Sequence, residues 1–148
     1  MIVFVIRHAN RKPEPDDDLT PAGFERAKLL ARTLGESGVR TVFCSSAQRA
    51  RNTIQPLKDL LGDRLEIMSV CVRSTTHIQQ IVDGVKALPE NVVAAVIGHS
   101  DTVGPIIEGL SGRSIDQIAG HEFDKLFVLS ITSAGVSTVA LTRYGEPT

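Results

Sequence analysis

The chain has 148 residues, enough for one ordinary domain whose hydrophobic core needs no disulfide or metal to hold it. Its formal net charge of −1 supplies no global basic field to recruit nucleic acid, so any anion site must be assembled locally. Hydrophobic residues make up 42% and charged residues 22%, ordinary globular values that exclude a disordered or fibrous chain.

No apolar stretch approaches the ~18 residues of a membrane span, so no membrane partner is expected. Strand-like sequence begins at Ile2 and leaves no room for a secretory leader, which points to a cytoplasmic protein. Cys44 and Cys71 have no zinc or redox spacing. Both lie in or beside apolar runs and read as buried free thiols in a reducing compartment.

Residues 2–6 form a continuous apolar run rich in β-branched side chains, as in a strand covered on both faces. A helix follows, capped by Thr20 with Pro21 at its first position, and runs to about Leu34. Residues 41–44 read as a second strand. Residues 47–61 read as a helix that Pro56 kinks or breaks. Residues 65–72 suit a third strand, 75–88 a third helix and 92–97 a fourth, fully apolar strand. Residues 101–110 read as a short helix. Two last strands, 126–133 and 136–143, flank Ala134-Gly135 as an antiparallel hairpin with a two-residue connection. The alternation predicts one α/β domain over residues 1–148. Its architecture is a three-layer α/β/α sandwich with a mostly parallel sheet and an antiparallel C-terminal hairpin.

Two of the apolar runs end in chemistry. Arg7-His8 follows the first strand, and Gly98-His99-Ser100 follows the fourth. In open α/β sheets, ligands bind beyond the carboxyl ends of the strands. Two imidazoles and a guanidinium meeting there suit a phosphoryl group: one ring attacks and the arginine neutralises developing charge. Ser45-Ser46-Ala47-Gln48-Arg49-Ala50 follows the second strand. It adds Arg49 and a helix N-terminus with free backbone N–H groups to the same edge.

This set resembles the histidine phosphatase superfamily, the phosphoglycerate mutase-like fold. The carrying motifs are Arg7-His8-Ala9, Leu19-Thr20-Pro21-Ala22-Gly23, Ser45 with Arg49, Ala50 and Thr53, and Gly98-His99-Ser100. Residues 122–127 and Arg143-Tyr144-Gly145 are similar to the tail of small bacterial members. The resemblance implies that His8 is the nucleophile and that Arg7 and Arg49 clamp the phosphate. It implies that His99 donates to a phosphate oxygen in the transition state, and that water then hydrolyses the phosphohistidine. It implies neither a metal nor a cofactor. The partner it implies is a phosphorylated small molecule or a phosphohistidine protein, and not a nucleic acid; the oligomeric state stays open. The chain's short length favours hydrolysis over mutase chemistry.

Two departures stand out. Ala9 replaces the family's usual glycine, and residues 69–77 contain no carboxylate where the larger branch of the family has its glutamate acid. Small phosphohistidine phosphatases resemble the chain in that lack. Asp101 and His77 are the alternatives for a proton donor, against plainer roles as a helix cap and a helix-start residue. Asn10 and Ser100 are further substrate-binding candidates. Arg26 and Arg51 read as solvated, and Asp16-Asp17-Asp18 as a solvated turn. His121 near Glu122 and Asp124 lacks metal-ligand spacing. A non-catalytic phosphate-binding module, a small-metabolite phosphatase and a metal-dependent hydrolase remain the alternatives.

Overall fold

A computed structural model describes residues 1–148. In chain order it contains β1 (Ile2–Arg7), α1 (Pro21–Leu34), β2 (Val39–Ser45), α2 (Gln48–Leu61) and β3 (Glu66–Val70). It continues with α3 (His77–Lys86), β4 (Val93–Gly98), α4 (Val103–Ser111), β5 (Lys125–Ile131) and β6 (Ser137–Arg143). The six strands form one sheet in the order β3-β2-β4-β1-β5-β6. The pairs β3/β2, β2/β4 and β4/β1 are parallel; β5 runs antiparallel to β1, and β6 to β5.

Side-chain alternation along the central strands sorts two cores. Ile6, Val42, Cys44, Ala95 and Ile97 face α1 and α2, where they pack with Leu30, Leu34, Ile54 and Leu57. Val3, Val5, Phe43 and Val96 face α3 and α4, where they meet Ile81, Val85, Ile106 and Ile107. Burial on both faces explains why β1 up to Ile6 and β4 are apolar. The result is the expected sandwich, mostly parallel with an antiparallel C-terminal hairpin. No helix is long and apolar enough to cross a membrane.

The local differences have physical causes. The hairpin connection is longer than two residues. The Thr132 N–H donates to the Val136 carbonyl and the Gly135 N–H to that of Thr132, with Gly135 at φ +79°. That is a type I turn closed by a left-handed glycine, which suits a three-residue loop. Helix α2 runs through Pro56 without a break. Strand β3 lies at the sheet edge and stops at Val70, so Cys71 falls in the following loop and is exposed; only Cys44 is a buried thiol. Helix α4 starts at Val103, with Thr102 rather than Asp101 at its N-cap.

Helix α1 begins as expected: the Thr20 hydroxyl accepts the Gly23 N–H at 3.1 Å, with Pro21 following. Arg26, however, is buried at 4% exposure. It donates from Nε to Asn10 Oδ1 at 2.7 Å, from Nη1 to the Tyr144 carbonyl at 2.8 Å and from Nη2 to the Glu146 carbonyl at 2.7 Å. It thereby ties the loop after β1 to the C-terminal segment, and its solvated reading is overturned.

Gly23 permits that packing, because a Cβ there would lie 2.0 Å from the Asn10 carbonyl oxygen. Gly→Ala within a helix usually gains about 0.5–1 kcal/mol. Gly23→Ala is expected to reverse the sign and cost about 1–3 kcal/mol through overpacking. Urea unfolding of the two proteins measures it; an unchanged or raised midpoint would mean the loop yields freely.

Candidate active site

The carboxyl edge of the parallel strands carries the chemistry. Arg7 pairs with Gly98 across β1 and β4, and the His8 N–H donates to the Gly98 carbonyl at 2.9 Å. That register sets His8 beside His99, with ring centroids 5.3 Å apart at 61°. Arg7, His8, Arg49 and His99 line one cavity of about 360 Å³, with Ser100 and Asp101 also in its wall. Cavities of about 580 and 420 Å³ adjoin it. One shares Arg49 and Arg11, the other Ser100 and Asp101. Only the smallest of the three holds both imidazoles.

His8 is 2% exposed, and its Nδ1 lies 2.8 Å from the Ala9 carbonyl oxygen. A carbonyl can only accept, so Nδ1 carries the proton and Nε2 keeps its lone pair. Burial pushes the His8 pKa down to about 3; the Ala9 hydrogen bond opposes this, while His99, Arg7 and Arg49 reinforce it. Ala9 itself is fully buried against Leu19 and Ala27, and no residue other than glycine has a positive φ, so alanine fits this turn without backbone strain. Thr53 locks the turn to α2: its hydroxyl accepts the Ala9 N–H at 2.8 Å and donates to the Arg49 carbonyl at 2.7 Å.

Arg7 is held from behind. Its Nη1 donates to the carbonyls of Ala119, Gly120 and Glu122 at 3.2, 2.9 and 2.7 Å, and its guanidinium lies 3.9 Å from the Phe123 ring centroid. That loop is itself braced. The Glu122 carboxylate accepts the Ala119 N–H and meets Lys125, and Asp124 accepts from Arg143 and Thr148. Burial, with Arg11 and Arg49 nearby, pulls the Arg7 pKa down to about 10, still charged at neutral pH.

Arg49 is held by Asp17, whose carboxylate pairs with Nη1 and accepts the Gln48 N–H at 2.8 Å. Burial pushes the Asp17 carboxyl up, but bonds from Arg49 and Gln48 outweigh it, and the pKa stays below the ordinary range. Asp18 accepts from Asn52. Asp17 and Asp18 are therefore engaged with α2 rather than solvated, while Asp16 stays exposed, and the first N–H of α2 is not free. Nε of Arg7 and Nε of Arg49 are both buried without a hydrogen-bond partner. Buried donors left unpaired cost about 1–3 kcal/mol each.

The remaining sequence candidates divide. Ser100 and exposed Asp101 line the cavity. Asn10 turns to Arg26 and lies outside the lining. His77 is 4% exposed; its Nδ1 meets the Cys71 carbonyl at 2.9 Å and its Nε2 is sealed without a partner. His121 is exposed, and no three metal-ligating side chains gather around it. Phe123 and the carbonyls behind Arg7 had no individual signal in the sequence.

The family model of the histidine phosphatase superfamily (branch 1) matches residues 3–70, a little under half of the chain, which contain Arg7, His8 and Arg49. A protein of Hydrogenobacter thermophilus, provisionally named a phosphoserine phosphatase, is 33% identical over 73 residues. That match spans 44% of this chain but only 36% of the relative's length. A Schizosaccharomyces pombe protein, provisionally named a phosphatase, is 26% identical over 99% of this chain and 74% of its own. The solved structure of the protein histidine phosphatase SixA complexed with tungstate superposes over 97% of each chain with a TM-score of 0.77 at 19% identity, a likeness of fold.

Both rings resist protonation, since burial, Arg49 and His77 also hold His99 down to about 4, against the pull of Asp101 and Asp17. An unfolded histidine titrates near 6.5. The unfolded chain therefore binds more protons below that pH, and stability falls as pH drops from about 6.5 toward 4. Urea midpoints measured from pH 7.5 to 4.5 are expected to fall in wild type and to flatten in His8→Gln/His99→Gln. A flat wild-type profile would mean the rings are not held neutral.

Proposed function

We propose that this chain, whose residues 3–70 match the histidine phosphatase superfamily, is a phosphohydrolase working through a phosphohistidine on His8. The observation that carries the reading is the neutral His8 ring. Its Nδ1–H is held by the Ala9 carbonyl, and its Nε2 lone pair is free in a cavity that gathers guanidinium groups. Nε2 attacks phosphorus and the leaving group departs; water then attacks the phosphohistidine, returning inorganic phosphate and free His8. Arg7 and Arg49 supply fixed donors to the equatorial oxygens, and His99 adds a third where charge develops. Such a site acts by positioning and electrostatics, with little covalent work beyond the nucleophile.

The substrate class follows from the acid. Asp101 is the only carboxylate lining the cavity; it is exposed, and no hydrogen bond orients it. His77 has its Nε2 sealed from the cavity. A weakly assisted leaving group favours a phosphoramidate, whose nitrogen takes its proton from solvent before the P–N bond breaks, or an ester with an acidic alcohol. Phosphohistidine on a protein is the preferred substrate. The second reading, a small phosphomonoester, draws on the name of the Hydrogenobacter relative.

Rapid quench with labelled p-nitrophenyl phosphate is expected to trap an acid-labile, base-stable adduct on wild type and none on His8→Ala, which is inactive. An adduct surviving in His8→Ala moves the nucleophile elsewhere. Arg7→Ala and Arg49→Ala each remove charge-assisted contacts of about 1.5–3 kcal/mol, so kcat/KM is expected to fall roughly ten- to two-hundredfold. Wild-type kinetics in both would remove the phosphate from between them.

A leaving-group series is expected to show steep dependence, with good turnover of phosphoramidate and poor turnover of alkyl phosphates. A flat wild-type series turning steep in Asp101→Asn or His77→Ala would identify that residue as the acid. It would also shift the substrate class toward phosphomonoesters.

A further inference from the structure

The second histidine has more neighbours than its proton can satisfy. Its Nδ1 lies 3.1 Å from Arg49 Nη2, and its Nε2 lies 2.7 Å from Ser45 Oγ. A guanidinium only donates, so the contact with Arg49 asks Nδ1 to accept and puts the proton on Nε2. Ser45 asks for the reverse. Its side chain is fully buried, and its oxygen already accepts the Ala47 N–H at 3.3 Å. The only acceptor the structure offers its hydroxyl proton is His99 Nε2. If Nε2 carried the proton, the Ser45 hydroxyl would be left in the core with a hydrogen and no acceptor, a costly arrangement.

We infer that Ser45 is a positioning residue that holds His99 as the Nδ1–H tautomer when an oxyanion occupies the cavity. The inference rests on the phosphohydrolase reading above. The hydroxyl donates to Nε2, so Nδ1–H is presented to the cavity next to Arg49 Nη2. Two donors 3.1 Å apart then converge on one acceptor, and a phosphoryl oxygen serves both. The conflict between Arg49 and Ser45 over the free ring disappears once that oxygen arrives. The same hydrogen bond fixes the ring's orientation, because Ser45 ends β2 and His99 follows β4, neighbouring strands with Cys44 paired to Ile97. Without Ser45 the ring has no preference for the donor tautomer, and the transition state loses a hydrogen bond.

The test uses the full chain labelled at histidine nitrogens, with tungstate as the probe. In tungstate-bound wild type, His99 is expected to show a pyrrole-like Nδ1 and a pyridine-like Nε2. In Ser45→Ala, which removes one small buried hydroxyl, the bound ring is expected to show Nε2–H or a mixture of tautomers. Its kcat is expected to fall roughly tenfold while the His8 adduct still forms, the loss of one hydrogen bond. A pyrrole-like Nε2 in tungstate-bound wild type, alone or in a doubly protonated ring, overturns the inference. So does an unchanged tautomer in tungstate-bound Ser45→Ala. The wild-type spectrum decides even if the variant folds poorly. Absence of any His8 adduct in wild type instead removes the phosphohydrolase reading, so the two failures are distinguishable.

Discussion

The parallel pairing of β1 with β4 is the constraint on which the site depends. Its register sets Arg7 opposite Gly98, and the next residue on each strand is a histidine. Both rings emerge at the same edge of the sheet, and the bond from the His8 N–H to the Gly98 carbonyl fixes their separation. A shift of one residue in either strand would turn every side chain to the opposite face and bury the imidazoles in a helix layer. The apolar runs that specify this register are the ones packed between α1/α2 and α3/α4, so the core and the site are specified by the same residues.

Gathering guanidinium groups at that edge works against stability. Like charges repel, and burial removes their water. The chain offsets this with backbone carbonyls and carboxylates placed behind the cavity. Arg7 lies on three carbonyls of the 119–122 segment and Arg49 on Asp17. Arg7 and Arg49 are thus held in place by the protein's own groups. The donors left over, Nε of Arg7 and Nε of Arg49, have no protein partner.

Much of the architecture was legible because periodicity and strand-end chemistry are local. The apolar runs of β1 and β4, the Thr20-Pro21 helix start and the order of elements all follow from short windows of sequence. So does the convergence of Arg7, His8, Arg49 and His99, once parallel strands deliver their ends to one edge. What local sequence does not reveal depends on distant partners. Arg26 occupies a core position in the stripe Gly23, Arg26, Ala27, Leu30, Ala31 and Leu34, a helical spacing that was available to be read. Its charge argued for solvent, and the carbonyls that satisfy it lie more than a hundred residues away. Asp17 looked like part of a polar turn because its partner, Arg49, is 32 positions later. The exposure of Cys71 is not legible locally, because nothing nearby in sequence marks β3 as an edge strand that stops at Val70. Phe123 and its neighbours carried no separate signal, since backbone carbonyls are present at every residue.

The central claim is that folding leaves His8 neutral with its proton on Nδ1, so the reacting atom is Nε2. The regiochemistry of the phosphohistidine tests this most directly. Wild-type protein is quenched during turnover, and the labelled His8 peptide is compared by phosphorus NMR with the two phosphohistidine isomers. The account predicts phosphate on Nε2 of His8 alone. Phosphate on Nδ1 of His8, or on any other residue, would contradict it.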